Sequence, residues 1–130
     1  MIRGIGTDLV EVARVASSLD KLGDKFARRI LGPQELEVFA EHHAPAAYLA
    51  KRFAAKEAVA KAMGTGIGKA IAFTDAQVMN NDLGAPSFIF AGAAQQWMQE
   101  HKVNAVHLSL SDEQQMAMAF VILESNYDQQ

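Results

Sequence analysis

One stretch limits the folds open to this chain more than any other: Arg52-Phe53-Ala54-Ala55-Lys56-Glu57-Ala58-Val59-Ala60-Lys61-Ala62-Met63-Gly64-Thr65-Gly66. Ala, Lys and Glu favour helix, and Gly64 is a natural stop where the periodic pattern ends. The helix is predicted over residues 46–63. Beyond the stop, Gly64-Thr65-Gly66 offers backbone amides that a phosphate can approach closely. An anion site and a carboxylate suited to a metal thus meet at one helix end. A helix that only packs needs less chemistry than that.

The remaining elements fall around this helix. Residues 2–10 read as a strand, loosened by Gly4 and Gly6, where another backbone or a ligand can come close. Residues 11–31 read as one helix, with Val12, Val15, Leu19, Leu22 and Phe26 spaced by three or four. Gly32-Pro33 punctuates and opens a helix to residue 42. Strands are predicted over 70–79 and 87–90, split by the turn signal Asn80-Asn81-Asp82-Leu83-Gly84. A short helix over 93–101 carries Trp97, and 103–110 with 116–123 form a hairpin. Residues 125–130 are polar and expected to fray. Helices lead and antiparallel strands follow, so the class is α+β in a single domain over residues 1–130.

Composition narrows the function. A chain of 130 residues, half of them hydrophobic, can bury a real core. No apolar run approaches the ~20 residues needed to span a bilayer, and Met1-Ile2-Arg3-Gly4 does not open a secretory signal, so no membrane partner and a cytoplasmic location are expected. The absence of cysteine excludes disulfides, thiolate catalysis and Cys-ligated zinc. Eleven of the twelve Lys and Arg residues lie within residues 1–69 beside eight acids, leaving that segment at +3 and the rest at −6. A basic half on an acidic protein points to a local anionic partner rather than to nucleic acid; a solvated, uneven surface is the bland alternative.

Several residues are candidates for chemistry, each with a plainer alternative. Asp8 sits in a strand-like run that disfavours Asp, so it is either a ligand on a rigid strand or a cap for the helix that follows. Glu57 and Lys61 are four apart and can form a solvated helical pair worth ~0.3–0.5 kcal/mol. Alternatively Glu57 joins Asp8 around Mg²⁺, which takes carboxylates, water and phosphate oxygens. The 64–69 glycine run fails the Walker pattern and follows a helix instead of opening one. His107 and Ser109 alternate with apolar residues on the polar face of a strand, where they bind phosphate or simply meet water. His42-His43 have no third ligand close in sequence, which argues against zinc.

Three segments together carry a resemblance. Gly4-Ile5-Gly6-x-Asp8-Leu9-x-Glu11-x-x-Arg14, the 52–66 stretch, and His107-Leu108-Ser109-Leu110-Ser111-Asp112 occur in the order and spacing of one family. The chain resembles the bacterial holo-acyl-carrier-protein synthases, the small type of 4′-phosphopantetheinyl transferase, over nearly its whole length. The resemblance implies a helices-on-antiparallel-sheet fold, a homotrimer, a role in fatty acid biosynthesis, and Mg²⁺-dependent transfer of 4′-phosphopantetheine from coenzyme A to a serine of apo-acyl carrier protein, releasing 3′,5′-ADP. It implies that Asp8 and Glu57 hold Mg²⁺ against the pyrophosphate and that Lys61 neutralises phosphate charge. Glu57 or a water on the metal would take the serine proton. Gly64, Thr65 and Gly66 would lie against the coenzyme, with Arg52, His107 and Ser109 at a nucleotide site shared with a neighbouring subunit. Arg14 matches the family motif; Lys21, Lys25, Arg28 and Arg29 join it by charge as a docking face for an acidic carrier protein.

Departures from the family pattern are local. Gly32-Pro33 stands where many relatives carry a hydroxyl cap, Asp112 where relatives often have His, and Asp20 and Asp24 interrupt the basic run. Two other functions compete: a non-catalytic module that binds coenzyme A or a carrier protein, and an Mg²⁺-dependent hydrolase of a nucleotide pyrophosphate. Neither uses all three of the carboxylates, Lys61 and the basic face.

Overall fold

The first strand and the longest helix touch along backbones stripped of side chains, and that contact organises the molecule. The computed structural model describes residues 1–126. Strand β1 (Ile2–Glu11) is antiparallel to β5 (Met116–Glu124), which is antiparallel to β4 (Ala105–Asp112), in the order β1-β5-β4. Helix α4 (Pro45–Met63) lies across β1 and β5. A Cβ at Gly4 would sit 2.0 Å from the Ala62 carbonyl oxygen, and one at Gly6 would sit 1.9 Å from that of Ala58. As expected, another backbone comes close at the two glycines; the strand itself stays continuous, with a register shift only between Ile2 and Gly4. Ala54, Ala55, Ala58, Val59 and Ala60 are wholly buried, so α4 packs on most of its circumference. Below it, the inward residues Ala117, Ala119, Val121 and Leu123 of β5 are buried.

Between β1 and α4 the chain forms α1 (Val12–Leu22), α2 (Asp24–Ile30) and α3 (Pro33–Ala40). The single helix expected over 11–31 is therefore two. Gly23 breaks it with φ 64° and ψ −147°, a conformation that a side chain resists. The apolar spacing runs through the break, which is why periodicity hides it. Val15, Ala27, Ile30 and Leu31 form a second buried cluster with Tyr48, Leu49 and Ala50 of α4.

The cap expected to be missing at Gly32 is supplied from elsewhere. Gln77 Oε1 accepts the Gln34 and Glu35 amides at 2.8 and 3.4 Å, and a Cβ on residue 32 would collide with that Gln77 side chain at 2.5 Å. Glu35 completes the cap by accepting the Gly32 amide at 3.0 Å.

Beyond α4, the strand expected from residue 70 begins at residue 76. Phe73–Asp75 form a 3₁₀ turn in which Asp75 Oδ2 accepts the Ala72 amide at 3.2 Å. Strands β2 (Ala76–Asn80) and β3 (Pro86–Phe90) then make a separate hairpin, and α5 (Gly92–Glu100) packs Ala94 and Met98 into the main core. Ser125, expected to fray, is buried and donates its amide to the Met1 carbonyl at 2.8 Å, while its hydroxyl accepts from Arg3 Nε at 3.0 Å. Residues 127–130 of that expected tail lie outside the described residues.

The outer face of the three-stranded sheet is apolar and open. Ile5, Leu9 and Met118 are 56%, 62% and 43% exposed. Cross-strand pairing joins them: Ile5 opposes Ile122, Thr7 opposes Phe120, and Leu9 opposes Met118. Among the described residues no helix is long and apolar enough to cross a membrane.

Candidate active site

Asp8 follows Gly4 and Gly6 at period two on the α4-facing side of β1. It lies inside the strand, opposite Ala119, so it does not cap α1; Glu11 holds that position. Lys61 Nζ donates to Asp8 Oδ1 at 2.9 Å and to the Thr7 carbonyl at 3.0 Å. Lys61 thus reaches across to the strand, where spacing alone also allowed a helical pair with Glu57. Glu57, one turn back, is half-buried beside both groups. Burial first, and then the charge of Asp8, hold its carboxyl above the usual range, against the pull of Lys61.

Two carboxylates therefore face one ammonium, an arrangement that a divalent cation relieves. Among the described residues no cluster of three or more His, Asp or Glu could cage a metal. A donor set of Asp8 and Glu57 fits Mg²⁺, which keeps water and takes phosphate oxygens, better than it fits zinc or calcium. A groove opens beside the carboxylates, with Val15, Phe26, Phe53 and Met116 as its apolar lining and Arg14 and Ser18 at its edge. The site has an apolar wall on one side and a cation at the mouth.

The other candidates lie elsewhere in this chain. The Arg52 guanidinium stacks over the Tyr48 ring at 4.4 Å and donates through Nη2 to Asn80 Oδ1 at 2.6 Å and the Val78 carbonyl at 3.3 Å. Its Nε is buried and, among the described residues, without a partner. The amides of Thr65 and Gly66, expected to be open to a phosphate, both donate to the Ala60 carbonyl at 3.3 Å. The turn serves first as the end of α4, and Gly64 takes the left-handed conformation there. His107 and Ser109 project from the exposed outer face of β4, where His107 Nε2 meets Glu124 Oε1 at 2.9 Å. Arg14 and Lys21 lie on α1 and Lys25, Arg28 and Arg29 on α2, all exposed, so the basic face spans two helices. Asp112 pairs with Lys51 at 3.5 Å, joining β4 to the start of α4.

Glu35 and Lys56 escape sequence reasoning altogether. Both are wholly buried, and Lys56 Nζ lies 2.6 Å from Glu35 Oε1. Burial lowers the Lys56 ammonium from its usual range, and the Glu35 charge pulls it back. A Lys in an Ala-rich helix signals solvent, and its partner is 21 residues away.

Comparison with known proteins places this chain and its fold. The family described as the 4′-phosphopantetheinyl transferase superfamily matches residues 4–121. A holo-[acyl-carrier-protein] synthase of Vibrio parahaemolyticus is 48% identical over 124 residues, covering 95% of this chain and 98% of the relative. The crystal structure of the Neisseria meningitidis holo-[acyl-carrier-protein] synthase superposes with a TM-score of 0.92 at 46% identity, covering 96% of this chain and all of the other. A Bacillus anthracis synthase in complex with CoA (3′,5′-ADP) superposes at 0.82 with 41% identity, covering 97% of this chain and 99% of the other.

Proposed function

The chain belongs to the 4′-phosphopantetheinyl transferase superfamily, and from that premise we infer that it is a holo-[acyl-carrier-protein] synthase. It transfers 4′-phosphopantetheine from coenzyme A to apo-acyl carrier protein. The observation that carries the assignment to this site is the meeting of Asp8, Glu57 and Lys61 beside an apolar groove.

In the proposed reaction the carrier's serine oxygen bonds to the pantetheine-side phosphorus. The bridging P–O bond breaks, 3′,5′-ADP leaves, and the serine proton passes to Glu57 or to water beside it. Glu57 lies at the groove beside Asp8, within the site where that proton is released. Mg²⁺ held by Asp8 and Glu57 would supply charge neutralisation at the pyrophosphate. Lys61 adds a second cation on the phosphates, which draws its ammonium away from Asp8. Thr65 and Gly66 would exchange their long bonds to Ala60 for phosphate oxygens. The groove would seat an apolar side chain next to the carrier's serine, with Arg14 and the cations of α1 and α2 steering the acidic carrier.

The assembly proposed is a homotrimer in the cytoplasm, each copy a single domain. Its support is the apolar outer sheet face, which a second copy would cover. His107 and Ser109 project from that same face, so a neighbour's coenzyme can meet them there.

Intact mass spectrometry of an apo-acyl carrier protein incubated with the enzyme and coenzyme A tests the reading. A gain of one phosphopantetheine group with Mg²⁺, and none with EDTA, is expected. Cleaved coenzyme A with an unmodified carrier would instead make the protein a hydrolase, and intact coenzyme A with a bound carrier would make it a binding module.

A further inference from the structure

Lys56 is one residue before Glu57 and points into the interior, where its three N–H donors are all used. They go to the Ile30 carbonyl at the end of α2, to Glu35 Oε1 at 2.6 Å, and to the Phe73 carbonyl at 2.9 Å. Glu35 Oε1 also accepts the Gly32 amide, and Oε2 accepts the Val78 amide at 2.9 Å. The cluster is closed, as a buried ion pair must be.

Its reach into β2 gives it a role beyond packing. Val78 pairs with Phe88 of β3 on the other side of its strand. Its amide goes to Glu35 and its carbonyl to Arg52, so two side chains stand where another strand would pair. Arg52 bonds Asn80 two residues on, which receives the shortest contact of its guanidinium. The position of β2 relative to α4 therefore sets where the Arg52 guanidinium points, and Glu35, itself held by Lys56, ties β2 through Val78 beside the Gln77 contact with α3.

We propose that Glu35 and Lys56 are positioning residues for coenzyme binding: through Val78 they fix the strand that orients Arg52. The proposal rests on the reading of Arg52 as a ligand of the coenzyme's nucleotide phosphates. It predicts that disturbing a pair whose hydrogen bonds go to neither Asp8 nor Glu57 changes coenzyme affinity and leaves the chemistry and carrier capture alone.

Glu35→Gln tests it, because it keeps Oε1 for Lys56 and Gly32 while removing the acceptor of the Val78 amide; the link to α2 through Ile30 survives. Expected are a rise of about tenfold in KM for coenzyme A, kcat and carrier KM within about twofold, and faster hydrogen exchange at the Val78 amide. Should this variant fail to fold, Glu35→Met combined with Lys56→Met removes both charges together and is measured in its place. An unchanged coenzyme KM, or unchanged Val78 exchange, overturns the proposal. Arg52→Ala measured in parallel locates the failure. A raised coenzyme KM in that variant alone refutes only the positioning role, whereas a normal one refutes the reading of Arg52 beneath it.

Discussion

Lys56 and Glu57 are consecutive residues of one helix, and their surroundings are opposite. Lys56 is sealed in the interior with three acceptors, and its carboxylate partner is itself saturated. Glu57 sits at a groove with a second carboxylate, Asp8, and only the half-exposed ammonium of Lys61 to offset both. The interior tolerates charge only when it is closed and balanced. A site that must take up a cation and a polyanion is left unbalanced and open. Charge that stabilises the fold and charge reserved for a reaction thus stand 1.5 Å apart in helical rise.

The strongest way to break this contrast is to remove one member of each set. Lys56→Ala strands the buried Glu35 carboxylate and should cost ~3–5 kcal/mol, which denaturant unfolding measures. Asp8→Ala should leave stability within ~1 kcal/mol, since its partner Lys61 is half-exposed, but reduce transfer by about 10²–10³-fold in the mass assay. If Asp8→Ala unfolds the protein and Lys56→Ala does not, the roles of the two sites are reversed.

Gly6→Ala sharpens the comparison from the backbone side. The new methyl would meet the Ala58 carbonyl at 1.9 Å, forcing β1 off α4 and carrying Asp8 away from Glu57. A loss of ~1–3 kcal/mol is expected, with a larger loss of transfer than the stability change explains. Retained transfer in a folded Gly6→Ala protein would show that the spacing between strand and helix does not set the site.

These residues also mark what was legible in the sequence. Gly4, Gly6 and Asp8 alternate on one strand face, and Glu57 and Lys61 share one helix face, so local periodicity alone aligns them. Lys56 is written in the same helix, but its meaning depends on Glu35, Ile30, Phe73 and Val78, which only tertiary contact brings together. The break at Gly23 was hidden for the converse reason: Leu19, Leu22 and Phe26 keep helical spacing across a residue whose φ and ψ end the helix. The Gln77 cap of α3 crosses more than forty residues and leaves no local trace.

A smaller effect is expected at the docking face. Arg14→Glu reverses a charge at the rim of the groove, on the exposed side of α1. Carrier association should slow by about tenfold at low salt and less at high salt, while coenzyme A binding is unchanged. Stopped-flow association at two ionic strengths checks this. Equal losses for carrier and coenzyme would move Arg14 from the docking face to the coenzyme site.

The smallest effect tests the imbalance itself. Burial and the charge of Asp8 hold the Glu57 carboxyl above its ordinary value of 4.5, so the folded protein binds that proton more tightly than the unfolded chain does. Its contribution to stability is then full below that ordinary value and is lost as pH rises through the folded value. Without divalent metal, Glu57→Gln should be the more stable protein at pH 7, by ~0.5 kcal/mol given the partial exposure, and the difference should vanish near pH 4. Millimolar Mg²⁺ should reverse the order by stabilising only the protein that retains the carboxylate. Melting temperatures across pH, with EDTA or with Mg²⁺, read both effects. If Glu57→Gln is instead the less stable protein at pH 7 in EDTA, Glu57 is a saturated structural charge like Glu35. The open side of α4 would then hold no surplus for a metal to relieve.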